Sequence, residues 1–468
     1  MTKNTRIEHD FLGEKKIPSD AYYGIQTLRA IENFKITDIP ISIEPEMIRA
    51  LGYVKKASAK ANRDLAVLPE EIANAIVRAC DALIAGELVN QFKVDCIQGG
   101  AGTSTNMNAN EVIANKALEI LGHPKGQYEI IHPNNHVNCS QSTNDAYPTA
   151  FRVALLLIIP KLTTALSSLA GAFREKAKEF SDVLKMGRTQ LQDAVPMTLG
   201  QEFNAFASTL LEDVERLDAV CELFYEVNLG ATAIGTGINA PSGYRALAID
   251  YLAQLTGLPM KSSKDLVEAT WDTGAYVQLS GLLRRIAVKL SKICNDLRLL
   301  SSGPRAGFNE INLPKMQPGS SIMPGKVNPV IPEVVNQVAF QVIGMDLTVT
   351  LAAEAGQLQL NVMEPVMAFD LFSMLEMLQR GCRVLDGKCV RGITANRERC
   401  LEMVLNSIGI VTALNPTIGY EASAAIAKEA LETGRSVHEI VLEKGLIDKE
   451  RLDQLLSIEN LMNPRFFR

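Results

Sequence analysis

The stretch Val334-Val-Asn-Gln-Val-Ala-Phe-Gln-Val-Ile-Gly-Met-Asp-Leu-Thr-Val-Thr-Leu-Ala-Ala-Glu-Ala355 reads as a helix that is apolar nearly all round. Val334, Val335, Val338, Phe340, Val342, Ile343, Met345, Leu347, Val349 and Leu351 spread over most of its circumference. Such a rod is buried on every face, and one chain has few neighbours able to cover it. The pattern therefore predicts a bundle shared between subunits, hence a homo-oligomer; an ordinary core helix in a large monomer is the competing reading. Pro332 and Glu333 suit the first turn of this helix.

Two more long helices precede it in sequence. Apolar positions run Phe203, Phe206, Leu210, Val214, Leu217, Val220, Phe224 and Val227, in steps of three and four. Leu282, Ile286, Leu290, Ile293, Leu297 and Leu300 repeat the spacing before Gly303-Pro304 ends it. At ~1.5 Å per residue, a helix of about thirty residues reaches roughly 45 Å. The N-terminal part is mixed and rich in turn signals, such as Pro18-Ser19-Asp20 and Gly99-Gly-Ala-Gly102. The C-terminal part breaks into short helices, with a turn at Asn415-Pro416 and a capping box from Ser436 to Glu439. The expected class is mainly α. The expected domains are a mixed, mostly helical one at 1–141, a central long-helix bundle at 142–395 and a small helical one at 396–468.

The chain has 468 residues and a formal net charge of −6, which disfavours nucleic acid or an anionic membrane as the main partner. The start, Met-Thr-Lys-Asn-Thr-Arg-Ile-Glu-His-Asp, is polar and lacks the apolar core of a secretory signal. The apolar run Val153 to Ile159 is expected to stop at Pro160, too short to span a bilayer. The 8 cysteines form no Cys-x-x-Cys pair and read as reduced, mostly buried thiols of a cytoplasmic protein. His132 and His136 stand four apart, but Pro133 argues against the helix that metal ligation would need. No metal site is expected.

Immediately before the apolar rod, residues 317–329 read Gln-Pro-Gly-Ser-Ser-Ile-Met-Pro-Gly-Lys-Val-Asn-Pro. Three prolines and two glycines exclude a helix or central strand. Yet the loop concentrates Ser320, Ser321, Lys326 and Asn328. Two more segments are rich in uncharged hydrogen-bonding groups: Gly99 to Glu111 and Asn138 to Asp145. Gly187-Arg-Thr-Gln-Leu-Gln-Asp193 is a third, shorter one. The glycine-rich stretch is neither a dinucleotide fingerprint nor a P-loop. Its plain reading is a capped helix start before Glu111-Val112-Ile113. Helix N-termini lined with Ser, Thr and Asn also bind anions, and several together would suit a dicarboxylate.

Gly-Ser-Ser-x-Met-Pro-x-Lys-x-Asn-Pro, matched in full by residues 319–329, resembles the signature of the fumarase/aspartase superfamily. Gln98-Gly-Gly-Ala-Gly-Thr-Ser-Thr-Asn-Met-Asn108, Gln141-Ser-Thr-Asn-Asp-Ala-Tyr-Pro148 and Gly187 to Pro196 are similar to the same family. The likeness extends from Tyr22-Tyr23-Gly24 to Asn415-Pro416. It implies a three-domain fold whose central bundle is shared across a homotetramer, with each site built from three subunits. It implies reversible elimination releasing fumarate, on a small dicarboxylate, without an organic cofactor. Thr103, Ser142, Thr143, Asn144 and Thr189 are then expected to bind substrate carboxylates, joined by Ser321, Met323 and Asn328 from the loop. Ser320 is the implied catalytic base and Lys326 the cation that supports its anion.

Proton removal beside a carboxylate drives a second negative charge onto it. Preorganised donors there, each worth ~2.7–4 kcal/mol, are expected to carry most of the catalysis. Family members that hydrate fumarate have His after the Thr of the third segment; here it is Gln190. Loss of hydroxide needs a proton donor, whereas an ammonium departs as neutral ammonia. Gln190 can orient but cannot act as an acid, which favours aspartate deamination over malate dehydration. A fumarate hydratase, or a non-catalytic structural protein on the same scaffold, is the alternative. Gly319 and Gly325 are expected hinges of a closing loop. Arg29 is expected to pair with Glu32 one turn on, and Glu333 to serve a helix start.

Overall fold

A computed structural model describes residues 4–462. The chain opens with a hairpin of β1 (Thr5–Asp10) and β2 (Gly13–Pro18). Helices α1 (Ile25–Asn33), α2 (Pro45–Asp64), α3 (Glu70–Ile84) and α4 (Thr103–Ile120) follow. Then come α5 (Thr143–Glu179) and a second hairpin, β3 (Leu184–Thr189) with β4 (Gln192–Thr198). Next are α6 (Leu199–Val220), α7 (Tyr244–Thr256), α8 (Glu268–Trp271), α9 (Gly274–Leu300), α10 (Val330–Glu354) and α11 (Glu364–Lys388). The C-terminal part holds α12 (Arg397–Leu405), α13 (Asn415–Ile418), α14 (Tyr420–Thr433), α15 (Val437–Glu443), α16 (Lys449–Leu455) and α17 (Ile458–Met462). The protein is mainly α, as expected; the sheets among the described residues have only two strands each.

Two compact units divide the chain. The first runs to Thr163 and adds Glu215–Ala287 and Phe340–Leu378. Here α2 packs on α3 and α7, and α3 on α4. Its aromatic centre stacks Phe151 on Tyr276 with centroids 4.4 Å apart, and sets Phe372 edge-on to Phe151 at 5.4 Å. The second unit comprises Thr164–Val214, Val288–Ala339 and the chain from Gln379 onward. Phe173, Phe180, Phe203 and Phe206 interlock there edge to face. A separate core gathers Leu184 and Met186 of β3 with Val404, Ile410, Leu414, Ile440 and Leu452. The second hairpin is thus built into the C-terminal helices. Ser436 caps α15 as expected, its hydroxyl accepting the Glu439 amide at 3.2 Å.

Several expectations need correction. Pro160 does not stop the apolar helix: α5 runs 37 residues with Pro148 and Pro160 inside it. Pro148 lacks the N–H that would bond to the Asn144 carbonyl, and Asn228 Nδ2 supplies that donor at 3.0 Å. With this length, α5 and α10 are both long and apolar enough to cross a membrane by length and composition; the apolar window of α5 is 61% buried inside the fold. The 203–227 pattern is α-helical only to Val220; Cys221–Phe224 is a 3-10 turn, and Phe224 and Val227 are buried.

Within one chain α10 is not covered on every face. Val335, Ala339, Val342 and Val349 are buried, while Phe340 is 62%, Ile343 37%, Leu347 60% and Leu351 59% exposed. The exposed four recur at steps of three and four, a continuous apolar stripe.

The His132–His136 segment is helical after all: Pro133–Val137 forms a π-turn with proline in its first turn, where no N–H is missed. His132 Nδ1 accepts the amides of Asn134 and Asn135, and His136 Nδ1 accepts that of His132. Arg29 pairs not with Glu32 but with Asp10, through bonds of 2.7 and 2.8 Å; Glu32 takes Lys15 instead. The 8 cysteines are free and six of them are buried.

Candidate active site

The 317–329 loop folds back on itself at its neck. The Gly319 amide donates to the Lys326 carbonyl at 2.8 Å, and Asn328 Nδ2 donates to the Gly319 carbonyl at 2.7 Å. Asn328 therefore ties the loop together. Inside the turn, Ser320 Oγ accepts two backbone amides, from Met323 at 2.9 Å and Ile322 at 3.2 Å. Donors aimed at a hydroxyl oxygen stabilise its anion. Ser320, Met323 and Lys326 line one open pocket of about 490 Å³. Ser321 is exposed.

The β3–β4 hairpin presents Thr189 and Gln190. Thr189 pairs with Gln192, leaving Gln190 and Leu191 as a two-residue turn with φ of +55° and +62°. A turn with both central residues left-handed usually takes Asn-Gly. Two ordinary side chains here are strained by an order of 1 kcal/mol or more each. Both Thr189 and Gln190 project into solvent, and among the described residues no hydrogen bond holds either side chain. The loop and this hairpin belong to the second unit.

The other two segments belong to the first unit. Helix α4 begins at Thr103, eight residues before Glu111, so Asn106, Asn108 and Asn110 do not cap a helix start before Glu111, which was one plain reading of this stretch. They lie fully buried inside the helix. Gly102 precedes it with φ +88°, and a Cβ there would lie 2.4 Å from the Tyr147 ring. Asn106 and Asn110 both donate to Asn138 Oδ1 at 3.1 Å, and Asn106 also donates to Thr143 Oγ1 at 3.1 Å. Among the described residues no acceptor takes the Thr143 hydroxyl hydrogen. The same holds for Ser142, whose Oγ accepts the Asn144 amide at 3.2 Å. Asn144 Nδ2 is occupied by the Ala233 carbonyl at 2.8 Å, and Thr103 Oγ1 donates to Gly100 at 2.8 Å. Ser142, Thr143 and Asn144 start α5, whose N-terminus favours anions.

Two ionisable groups behind this segment were not singled out in the sequence. Lys55, 0% exposed, donates to Asn138 Oδ1 at 2.9 Å and Gln141 Oε1 at 3.0 Å. Burial lowers its pKa to about 7, against the pull of Asp145. Asp145 accepts the amides of Ser142, Gly230 and Thr232, yet burial raises it to about 6. The signal for Lys55 was its register: it shares a helical face with Leu51, Ser58 and Asn62. Glu111 closes the start of α1, accepting the amides of Gly24, Gln26 and Thr27.

The description of a lyase family matches residues 13–344, and that of a fumarase C C-terminus matches residues 410–463. An aspartate ammonia-lyase of Pseudomonas aeruginosa is 63% identical over 463 residues, 99% of this chain and 98% of that protein. One from Escherichia coli is 58% identical over 467 residues, 100% of this chain and 98% of that protein. The chain belongs to the fumarase/aspartase family.

Solved structures of the fumarase/aspartase family agree with its fold. A fumarate lyase:delta crystallin from Brucella melitensis, in a structure bound to cobalt, superposes with a TM-score of 0.96 at 59% identity. That match covers 98% of this chain and 100% of that one. A class II fumarase from Schistosoma mansoni superposes at 0.94 with 35% identity, covering 99% of this chain and 100% of that one. Against the family pattern, the structure joins Ser320, Met323, Lys326 and Asn328 in one loop, and Thr143 with Asn106 at the start of α5.

Proposed function

We propose that the chain is an aspartate ammonia-lyase, converting L-aspartate reversibly to fumarate and ammonia in the cytoplasm. The observation that carries the chemistry is Ser320 Oγ, which accepts two backbone amides inside the signature loop. Full-length identity of 58–63% to aspartate ammonia-lyases supports the substrate.

In this reading Ser320 acts as an alkoxide and takes a proton from Cβ of aspartate. The C–H electron pair moves onto the adjacent carboxylate, giving an aci-carboxylate with two negative charges. Collapse of that species forms the alkene, and the C–N pair leaves with nitrogen as neutral ammonia. The two amides favour the hydroxyl's anion, and Lys326, lining the same pocket, adds positive charge. The free hydroxyl hydrogens of Ser142 and Thr143 and the N-terminus of α5 suit a substrate carboxylate. Thr103, Asn144 and Asn328 spend a donor within the fold. Their share in binding would come from their remaining polar atoms. Thr189, Gln190, Ser321 and Met323 complete the proposed set, with Gln190 orienting the ammonium or a carboxylate.

The exposed stripe of α10 supports association of several copies; the homotetramer, with sites that draw on three subunits, is the form of it implied by the family and is part of this proposal. The 1–141, 142–395 and 396–468 domains are part of the same proposal. The test is the ultraviolet absorbance of fumarate when aspartate or malate is supplied. Signal with aspartate alone supports deamination. Signal with malate alone makes the chain a fumarase, and no signal with either makes it a non-catalytic member.

A further inference from the structure

Glu310 is fully buried, and its two oxygens hold two cations of the same strand. Oε2 lies 2.9 Å from Lys185 Nζ, and Oε1 lies 2.7 Å from Arg188 Nη1. Residues three apart on a regular strand point to opposite faces. Lys185 and Arg188 meet one carboxylate because the β3–β4 register shifts between Met186 and Arg188. Gly187 permits the shift: a Cβ there would lie 2.8 Å from the Val195 carbonyl. Glu202 takes the other side of Lys185 at 2.5 Å, so two cations face two carboxylates. The Arg188 guanidinium also lies 4.2 Å from the centre of the Phe308 ring and donates to Met403 Sδ at 3.2 Å.

Arg188 directly precedes Thr189 and the strained Gln190–Leu191 turn. On the other strand Asp193 Oδ2 accepts Ser407 Oγ at 2.7 Å. Among the described residues no side-chain hydrogen bond holds the tip itself, so its aim depends on these two anchors. We infer that Glu310, acting through Arg188, is a positioning residue that aims Gln190. This rests on the proposed place of the hairpin in the site.

The test uses full-length enzyme carrying Arg188→Lys or Glu310→Gln, each alone and combined with Gln190→Ala, with kcat and KM measured for aspartate. Each single anchor variant is expected to lose roughly 10–100-fold in kcat/KM, mostly in kcat, as a mis-aimed group does. Combined with Gln190→Ala, it should add no more than about twofold, because the tip has already lost what the anchor aims. Losses that multiply with Gln190→Ala overturn the inference, since they mark a role unrelated to the tip. Anchor variants at parental activity beside an impaired Gln190→Ala overturn it alone. An unimpaired Gln190→Ala removes the hairpin from the site, and the inference with it. Should Glu310→Gln not fold, Arg188→Lys, which keeps the charge, carries the cycle by itself.

Discussion

Ser320 Oγ lies 2.9 Å from the backbone nitrogen of Met323 and accepts its hydrogen. The same contact would cap a turn in a protein with no chemistry, so activity must separate the two roles. Ser320→Ala should lower turnover by at least the roughly 10²–10⁴-fold typical of a lost general base. The unfolding midpoint should hardly move, because the loop around it is exposed. Steady-state fumarate release and thermal unfolding decide it; near-parental turnover takes Ser320 out of the mechanism.

Gln190 projects from a strained turn with no partner among the described residues. A hydrogen bond to a charged group contributes about 1.5–3 kcal/mol. Gln190→Ala should therefore reduce kcat/KM for aspartate by roughly 10- to 100-fold at unchanged stability. A stability loss without a kinetic one would make the residue structural.

Glu364 is buried near Arg152, and burial raises its pKa from 4.5 to about 8. Between those values the folded state holds a proton that the unfolded state has released. Stability contributed by this group therefore falls as pH rises through that window. Glu364→Gln does not titrate. The stability difference, variant minus parent, should grow from pH 4.5 to about 8, reaching a few kcal/mol. Unfolding midpoints at several pH values check this, and a difference independent of pH contradicts it.

Leu347 and Phe340 stand 60% and 62% exposed on the apolar stripe of α10. Leu347→Arg should leave the single-chain core intact while blocking association, and should remove activity if sites span subunits. Light scattering gives the mass; an active variant of parental mass argues that this stripe is not the subunit interface.

The long helices, the capping of α15 and the signature loop were legible because each is written in local periodicity or in a contiguous motif. Pro160 was misleading because the effect of a proline, like that of Pro148 in the same helix, depends on who satisfies the freed carbonyl. For Pro148 that is Asn228, eighty residues away. The asparagines of α4 read as caps, since in isolation Asn competes with the helical backbone. Inside the fold, Asn138 Oδ1 accepts from both Asn106 and Asn110.

The amino-acid order by itself determined the mainly α class, the apolar rod that one chain cannot cover, and the residue types of an elimination site. Only the tertiary structure decided which atoms of those residues remain available. It committed Asn328 to the loop neck and left the Thr143 and Ser142 hydroxyl hydrogens uncommitted. It buried Lys55 behind Asn138, and set Glu310 against Arg188, two residues before Gln190. The reason is physical. Helical periodicity is a property of neighbours along the chain, whereas the satisfaction of a buried donor or charge depends on partners that only folding brings within hydrogen-bond reach.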